Sequence, residues 1–204
     1  MNIGGLQRFS LCDFPGKVAA VVFTQGCNFK CPFCHNGHLI PMKKNRRTNI
    51  DPDQLFEFLH RRKSQLDGVV ISGGEPTMQK ELGLFIHEIK SMGFLVKMDT
   101  NGSQPQVISS LLESGDLDAI AMDVKAPFYM YEKLAGVSVN TENIMNSMRI
   151  ISQSGIFCEF RTTNVEKLLS QSNLEEIKNS LPAKAIHRLL PFNSHNALDD
   201  SLRN

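Results

Sequence analysis

Apolar residues along this chain fall into short unbroken runs, alternating with stretches in which they recur every three or four positions. Val18 to Phe23 is wholly apolar, as expected of a strand covered on both faces. Asp51-Pro52 offers a helix cap with proline at the first helical position, and Leu55, Phe58 and Leu59 follow as one apolar face. Val69 to Ser72 reads as a second buried strand. Leu82, Phe85, Ile86 and Ile89 keep helical spacing and predict a helix ending near Gly93. Phe94 to Met98 is a third strand, Val107, Ile108, Leu111 and Leu112 mark a helix, and Ala119 to Val124 is a fourth strand. A helix bearing Ile144, Met148 and Ile151 closes at Gly155, and a fifth strand runs from Ile156 to Arg161. A helix with Leu174, Ile177 and Leu181 leads to a sixth strand, His187 to Pro191.

Strands separated by helices of this length imply crossover connections and a parallel sheet. With no change of composition along it, the chain reads as one domain over residues 1–204. Its core covers about 5–191, and a polar, loosely packed tail starts at Asn193. Periodicity does not separate an open doubly wound sheet from a partial barrel, but the polar residues do. The cysteine-rich run follows the first predicted strand, Gly73-Gly74-Glu75-Pro76 the second and Asp99-Thr100-Asn101-Gly102 the third; Asp123 and Lys125 end the fourth, and Arg161 the fifth. Polar groups at successive strand ends converge on one mouth in a barrel, whereas an open sheet gathers them at one switch point. A curved sheet is therefore expected.

Composition narrows the partners. At 204 residues, with 41% hydrophobic and 21% charged residues, the chain suits a soluble globular domain. A net charge of +1 gives no electrostatic reason for a nucleic-acid or membrane partner. Lys43, Lys44, Arg46 and Arg47 form the one basic cluster, read as a solvated loop in preference to a docking patch for an acidic partner. No apolar run reaches the ~18 residues of a membrane span. Met1 to Gly5 lacks the basic and apolar regions of a signal peptide.

The five cysteines are an odd number, and Cys27, Cys31 and Cys34 crowd together in a C-x3-C-x2-C run. That crowding points to metal binding rather than to a disulfide framework. Three thiolates on one loop can hold three corners of a cubane iron–sulfur cluster and leave the fourth iron open. The alternative is zinc, with His35, His38 or Cys12 completing four ligands. Cys158 reads as a small core residue, and Cys12 precedes the turn Asp13-Phe14-Pro15-Gly16. Phe33 can shield a cluster or stack on a flat ring. Gly73 and Gly74 allow close backbone approach to a ligand, or mark only a turn; Glu75 can pair with a ligand amine. Asp99 and Asp123 can accept ribose hydroxyls or, with Thr100, hold a cation. Asn101-Gly102 also fits a plain turn, and Lys125 a plain salt bridge. Arg161 suits a carboxylate clamp or a surface position.

These segments together resemble the radical S-adenosylmethionine superfamily, and within it the activases of glycyl radical enzymes, most of all the type acting on anaerobic ribonucleoside-triphosphate reductase. The resemblance runs from Gly5 to about Pro191. It is strongest from Gly5-Leu6-Gln7-Arg8-Phe9-Ser10 through Asp13-Phe14-Pro15-Gly16-Lys17 to Gln25-Gly26-Cys27 and Cys34-His35-Asn36. It implies a partial (β/α)6 barrel with a [4Fe-4S] cluster on Cys27, Cys31 and Cys34 and S-adenosylmethionine on the open iron. Phe33 matches the position near the adenine, and Gly73, Gly74 and Glu75 the segment binding the methionine amino end. Asp123 and Lys125 match the ribose and carboxylate region, with Thr100, Asn101 and Arg161 also facing the cofactor. Asp99, Thr100 and Asp123 match a monovalent-cation site. Where related activases carry a histidine after Leu-Pro-aromatic, this chain has Asn193.

The activity so implied is one-electron cleavage of S-adenosylmethionine, followed by removal of hydrogen from a glycine in the C-terminal loop of a partner enzyme. A low-potential donor such as flavodoxin or ferredoxin would supply the electron. The oxygen sensitivity of such an iron–sulfur cluster leads to the expectation of an anaerobic cytoplasm, a cytoplasmic location. Two alternatives stand beside it: a radical enzyme acting on a small molecule, resembling 7-carboxy-7-deazaguanine synthase, and a zinc-dependent interaction module without catalysis.

Overall fold

The computed structural model describes residues 1–42 and 50–203; the basic cluster of Lys43, Lys44, Arg46 and Arg47 lies outside the described residues. Its sheet has seven strands in sequence order: β1 (Ile3–Ser10), β2 (Ala19–Thr24), β3 (Gly68–Gly73), β4 (Leu95–Thr100), β5 (Ala119–Asp123), β6 (Phe157–Asn164) and β7 (Ile186–Pro191). All neighbours from β2 to β7 pair in parallel, whereas β1 runs antiparallel to β2. The sheet does not close, because β1 and β7 remain its two edges. The six parallel strands and their crossover helices follow the expected partial barrel. The added strand is β1, whose two glycines and half-exposed residues gave little strand pattern.

Among the described residues six α-helices accompany the sheet: α1 (Pro52–Arg62), α2 (Leu82–Ser91), α3 (Pro105–Glu113), α4 (Tyr131–Ala135), α5 (Thr141–Ser152) and α6 (Gln171–Ser180). Local chemistry sets their starts. The Asp51 carboxylate accepts the Asp53 amide at 3.1 Å with Pro52 behind it, and Ser170 with Asn173 forms a reciprocal capping box before α6. Leu55 and Leu59 of α1, Ile86 and Ile89 of α2, Ile108 of α3, Ile144 and Ile151 of α5 and Ile177 of α6 are all buried. With Val22, Ile71, Met98, Ile120 and Phe160 of the strands they make one contiguous core.

Strand alternation sends the intervening residues to the opposite, concave face. Low on that face Phe14, Val21, Val70 and Ala119 form a small apolar plug, packed by Phe23 and Leu95. Lys97 on β4, the register partner of Val70 and Ala119, lies level with the plug. Above it the same parity brings up Asp99 on β4, Asp123 on β5 and Arg161 on β6, where Asp123 and Arg161 are register partners. The concave face is therefore greasy at one end and charged at the other. That gradient positions the site.

The segment after β7 departs from the expected loose tail. Ala197 and Leu202 are buried, at 0% and 4% exposure, within the same core as the helices and strands. Two apolar residues among polar neighbours give it a foothold in the core.

Candidate active site

The cysteine loop leaves β2 at Thr24 and is pinned along its length. Gln25 donates its amide to the Asn2 carbonyl (2.9 Å), Gly26 to Leu39 (2.7 Å), Cys27 to Ile40 (3.1 Å) and Lys30 to Ala135 (2.8 Å). Gly136, at φ +69°, ends α4 so close beneath the loop that a Cβ there would overlap the Lys30 carbonyl. Cys34 closes a tight turn by donating its amide to the Cys31 carbonyl at 3.0 Å. None of the three cysteines is in a disulfide. The Phe29 amide donates to Cys27 Sγ at 3.4 Å.

Opposite this loop stands the end of β3. Gly73 has φ +113°, and a Cβ on Gly74 would overlap the Gly26 carbonyl, to which Glu75 also donates its amide at 2.8 Å. Gly73 and Gly74 line the cavity, and they also let the cysteine loop cross them backbone to backbone. Glu75 is 1% exposed and does not hang free in the cavity. Its Oε1 accepts from the Thr77 amide (3.1 Å) and from the hydroxyls of Thr77 (2.6 Å) and Thr100 (2.7 Å). Oε2 accepts from the Asn101 amide (2.7 Å). Burial pushes the Glu75 carboxyl upward, against the pull of those donors. Asn101 is both a turn former and a strut. Its Oδ1 accepts the Ser103 amide (2.9 Å) and its Nδ2 reaches Asn28 Oδ1 (2.9 Å), tying β4's exit to the cysteine loop.

The third wall is an ion chain. Lys97, fully buried, pairs with Asp99 Oδ1. Arg161 Nη1 holds Asp99 Oδ2 (3.1 Å), and its Nε holds Asp123 Oδ1 (2.9 Å). Lys125 Nζ holds Asp123 Oδ2 (3.0 Å) and lies 5.9 Å from the Phe33 ring centre. Burial opposes ionisation of Asp123, but Arg161 and Lys125 outweigh it and hold this carboxyl well below the usual range. Arg161 clamps two carboxylates of its own chain. A monovalent cation at Asp99, Thr100 and Asp123 would have to displace Lys97, Arg161 or Lys125, and Thr100's hydroxyl already points to Glu75.

These walls enclose a cavity of about 200 Å³, lined by every residue that the sequence reading assigned to the cluster, the cofactor or the cation. Phe29, His35, Asn36, Ile40, Ser72 and Thr163 line it as well. Sequence reasoning missed Asn28, which bonds to Ser103 and Asn101, and Lys97, which supports the ion chain from below. A usable signal for Lys97 was its place two residues before Asp99 on one strand face. Cys12 bonds to Ser10 and sits before the start of β2, at the other end of a strand about 20 Å long. It is therefore no partner for a metal held by the three cysteines.

The three thiols line one cavity, as the ligands of a cluster must. A cubane needs its three thiolates at separate corners. Without metal, burial pushes the Cys27 thiol up to about 12 and the Cys31 thiol up as well. From a starting value of 9.0, that makes the Cys27 thiolate population at pH 8 about a thousandfold smaller. Greater intrinsic nucleophilicity recovers part of this, leaving alkylation of Cys27 in the apoprotein about thirtyfold slower than for a free cysteine. Mass spectrometry after iodoacetamide treatment should show that lag, with the rate rising steadily from pH 8 to pH 11.

Comparison with known proteins agrees with this geometry. Residues 21–180 match the Radical SAM superfamily. A Methanocaldococcus jannaschii protein, provisionally named a glycyl-radical enzyme activating enzyme, is 34% identical over 98% of this chain and 84% of its own length. The pyruvate formate-lyase-activating enzyme of Streptococcus mutans is 31% identical over 48% of this chain, which spans 38% of that relative. Among solved structures, Streptococcus suis SuiB bound to S-adenosylmethionine superposes with a TM-score of 0.66 over 83% of this chain and 39% of that one. At 15% identity, that likeness concerns the fold. Among the described residues no helix is long and apolar enough to cross a membrane. Membership of this family implies a [4Fe-4S] cluster and S-adenosylmethionine, and the donor set of the cavity fits both. On the match across 21–180 and on this arrangement of cysteines and strand ends, the chain belongs to the radical SAM superfamily.

Proposed function

We propose that this protein is a glycyl radical enzyme activase whose partner is an anaerobic ribonucleoside-triphosphate reductase. The observation that carries the reading is the single cavity in which the three cysteines face the polar ends of β3 to β6. The relative that matches across 98% of the chain supports the choice of activase.

In this reading Cys27, Cys31 and Cys34 hold three irons of the cluster. The Gly73-Gly74 backbone and Glu75 Oε2, which takes one protein donor, receive the ammonium end of S-adenosylmethionine. Lys125 and Arg161 draw its carboxylate, since three cations meet two aspartates in the ion chain. Phe33, buried beside Lys125, offers its ring to the adenine. When bound, the reduced cluster and S-adenosylmethionine supply a 5′-deoxyadenosyl radical, the hydrogen acceptor for the partner's glycine. Groups converging from four strand ends and the cysteine loop would fix the ligand, so the reacting groups need not search for one another. No monovalent cation belongs to the reading, because its carboxylate ligands already have cationic partners. The electron comes from a low-potential flavodoxin or ferredoxin.

The test is direct. Protein reconstituted anaerobically with iron and sulfide, then reduced, is mixed with S-adenosylmethionine and the reductase, and the glycyl doublet is sought by electron paramagnetic resonance. A doublet that depends on all components is the expected result. Cofactor cleavage with no radical on any glycyl radical enzyme would overturn the activase assignment and favour a small-molecule substrate.

A further inference from the structure

The chain beyond β7 returns to the cysteine loop by two side-chain caps. Asn193 Oδ1 accepts the His195 amide (3.1 Å) and starts the short turn Ser194–Asn196; Asp199 Oδ1 accepts the Ser201 amide (2.8 Å) and starts Asp200–Leu202. Arg203 Nε then closes the segment on the Ala197 carbonyl (2.8 Å), while Lys167 Nζ ties the Ser201 carbonyl to the scaffold (3.2 Å). Ala197 and Leu202 enter the core that also contains Phe29, Cys31 and Phe33.

Three contacts then fall on the cysteine loop itself. The Asp199 amide donates to the Pro32 carbonyl at 2.8 Å, between Cys31 and Cys34. Phe192 stacks on His35, with ring centres 5.6 Å apart and 18° between the planes. Leu198 lies against Gly37, whose added Cβ would come within 2.9 Å of it. The Cys31–Cys34 turn has one closing hydrogen bond of its own, from the Cys34 amide, and Pro32 has no N–H to add another. Its shape therefore depends on an outside hold.

We propose that residues 192–203 are a positioning strap that sets the relative placement of Cys31 and Cys34 through the Asp199–Pro32 hydrogen bond and the Phe192–His35 stack. The inference rests on the reading of these cysteines as cluster ligands. Partners behind metal ligands fix ligand orientation and solvent access, and both tune a cluster's electronic properties. Asn193 is the residue that turns the strap back.

Asp199→Pro removes the donated N–H at a residue whose φ of −87° is near proline's, while Asp199→Ala keeps it. Ala197→Glu is a second variant, designed to undock the whole strap. After anaerobic reconstitution, Asp199→Pro and Ala197→Glu should lose the cluster to a chelator about tenfold faster than the parent, the scale expected when a ligand's supporting partner is lost. Their reduced clusters should show an altered electron paramagnetic resonance line shape, which a general loss of stability would not produce. Asp199→Ala loses the same side-chain cap but keeps the N–H, so it should stay well apart from Asp199→Pro and close to the parent in both. In the apoproteins, Cys34 should be alkylated faster in the first two variants only. Parental decay, line shape and Cys34 reactivity in Asp199→Pro would overturn the strap, as would the same result in Ala197→Glu once proteolysis shows the strap released. Should Ala197→Glu not fold, the Asp199 pair decides the matter. If the parent itself binds no cluster, the cluster reading fails, and Cys34 reactivity in the apoproteins still decides the strap.

Discussion

Replacing Cys31 with serine is expected to leave a folded protein without the iron–sulfur chromophore and without any cleavage of S-adenosylmethionine. Cys31 is the most enclosed of the three cysteines, buried at 7% exposure inside the turn that Cys34 closes. A serine hydroxyl fits the space but is a far poorer ligand for iron than a thiolate. The fold should tolerate the change, since burying one new hydroxyl costs about 1–3 kcal/mol. Anaerobic reconstitution followed by absorption near 400 nm checks the cluster, and far-ultraviolet circular dichroism checks the fold. A full chromophore in this variant would remove Cys31 from the ligand set. The matching variants of Cys27 and Cys34 extend the test to the remaining corners.

Arg161→Met is expected to have the second-largest effect, on stability and ligand binding together. Arg161 bonds to both Asp99 and Asp123, and each carboxylate keeps one other cation when it is removed. Breaking a buried ion network this way costs about 3–5 kcal/mol, and the remaining lysines place this variant near the lower figure. The pH dependence has a defined sign. Asp123 is held below its ordinary range in the fold, so its contribution is complete above about pH 4 and is lost as the pH falls further. Arg161 and Lys125 both contribute to that depression, with Arg161 first, so part of it goes with Arg161. The gap between parent and variant should therefore be widest at neutral pH and shrink towards pH 3. Urea unfolding of the two apoproteins at pH 7 and pH 3 measures it, and an equal gap at both values would contradict the assigned charges. Binding of S-adenosylmethionine to the reconstituted variant should weaken as well, since a cation facing the cavity is gone.

Much of the fold was written in local pattern. The wholly apolar runs at Val18–Phe23 and Val69–Ile71, and the helical spacing of Leu82, Phe85, Ile86 and Ile89, depend only on neighbours along the chain. The structure has β2, β3 and α2 in those places. β1 was not legible, because an edge strand with two glycines owes its pairing to β2 rather than to its own pattern. The strap was misread for a related reason. Polar spacing around Ala197 and Leu202 resembles a solvated tail until the core offers them a place.

The sequence by itself determined which chemistry is present: three thiols at fixed spacing on one loop, and polar residues at the ends of successive strands. Close spacing on one loop is what lets thiols share a cluster, so the proposal for Cys27, Cys31 and Cys34 needs no coordinates. Only the tertiary structure decided how the other groups are used. It turned Glu75 inward onto two threonines and two backbone amides, and set Arg161 between Asp99 and Asp123. It also placed Lys97 beneath them and returned Asp199 to Pro32. The reason is physical. A buried charge or backbone amide must find a partner, and in a parallel sheet that partner comes from a strand or loop distant in sequence. The sequence spaces three cysteines on one loop, and the fold supplies the cavity and the returning C-terminal segment around it.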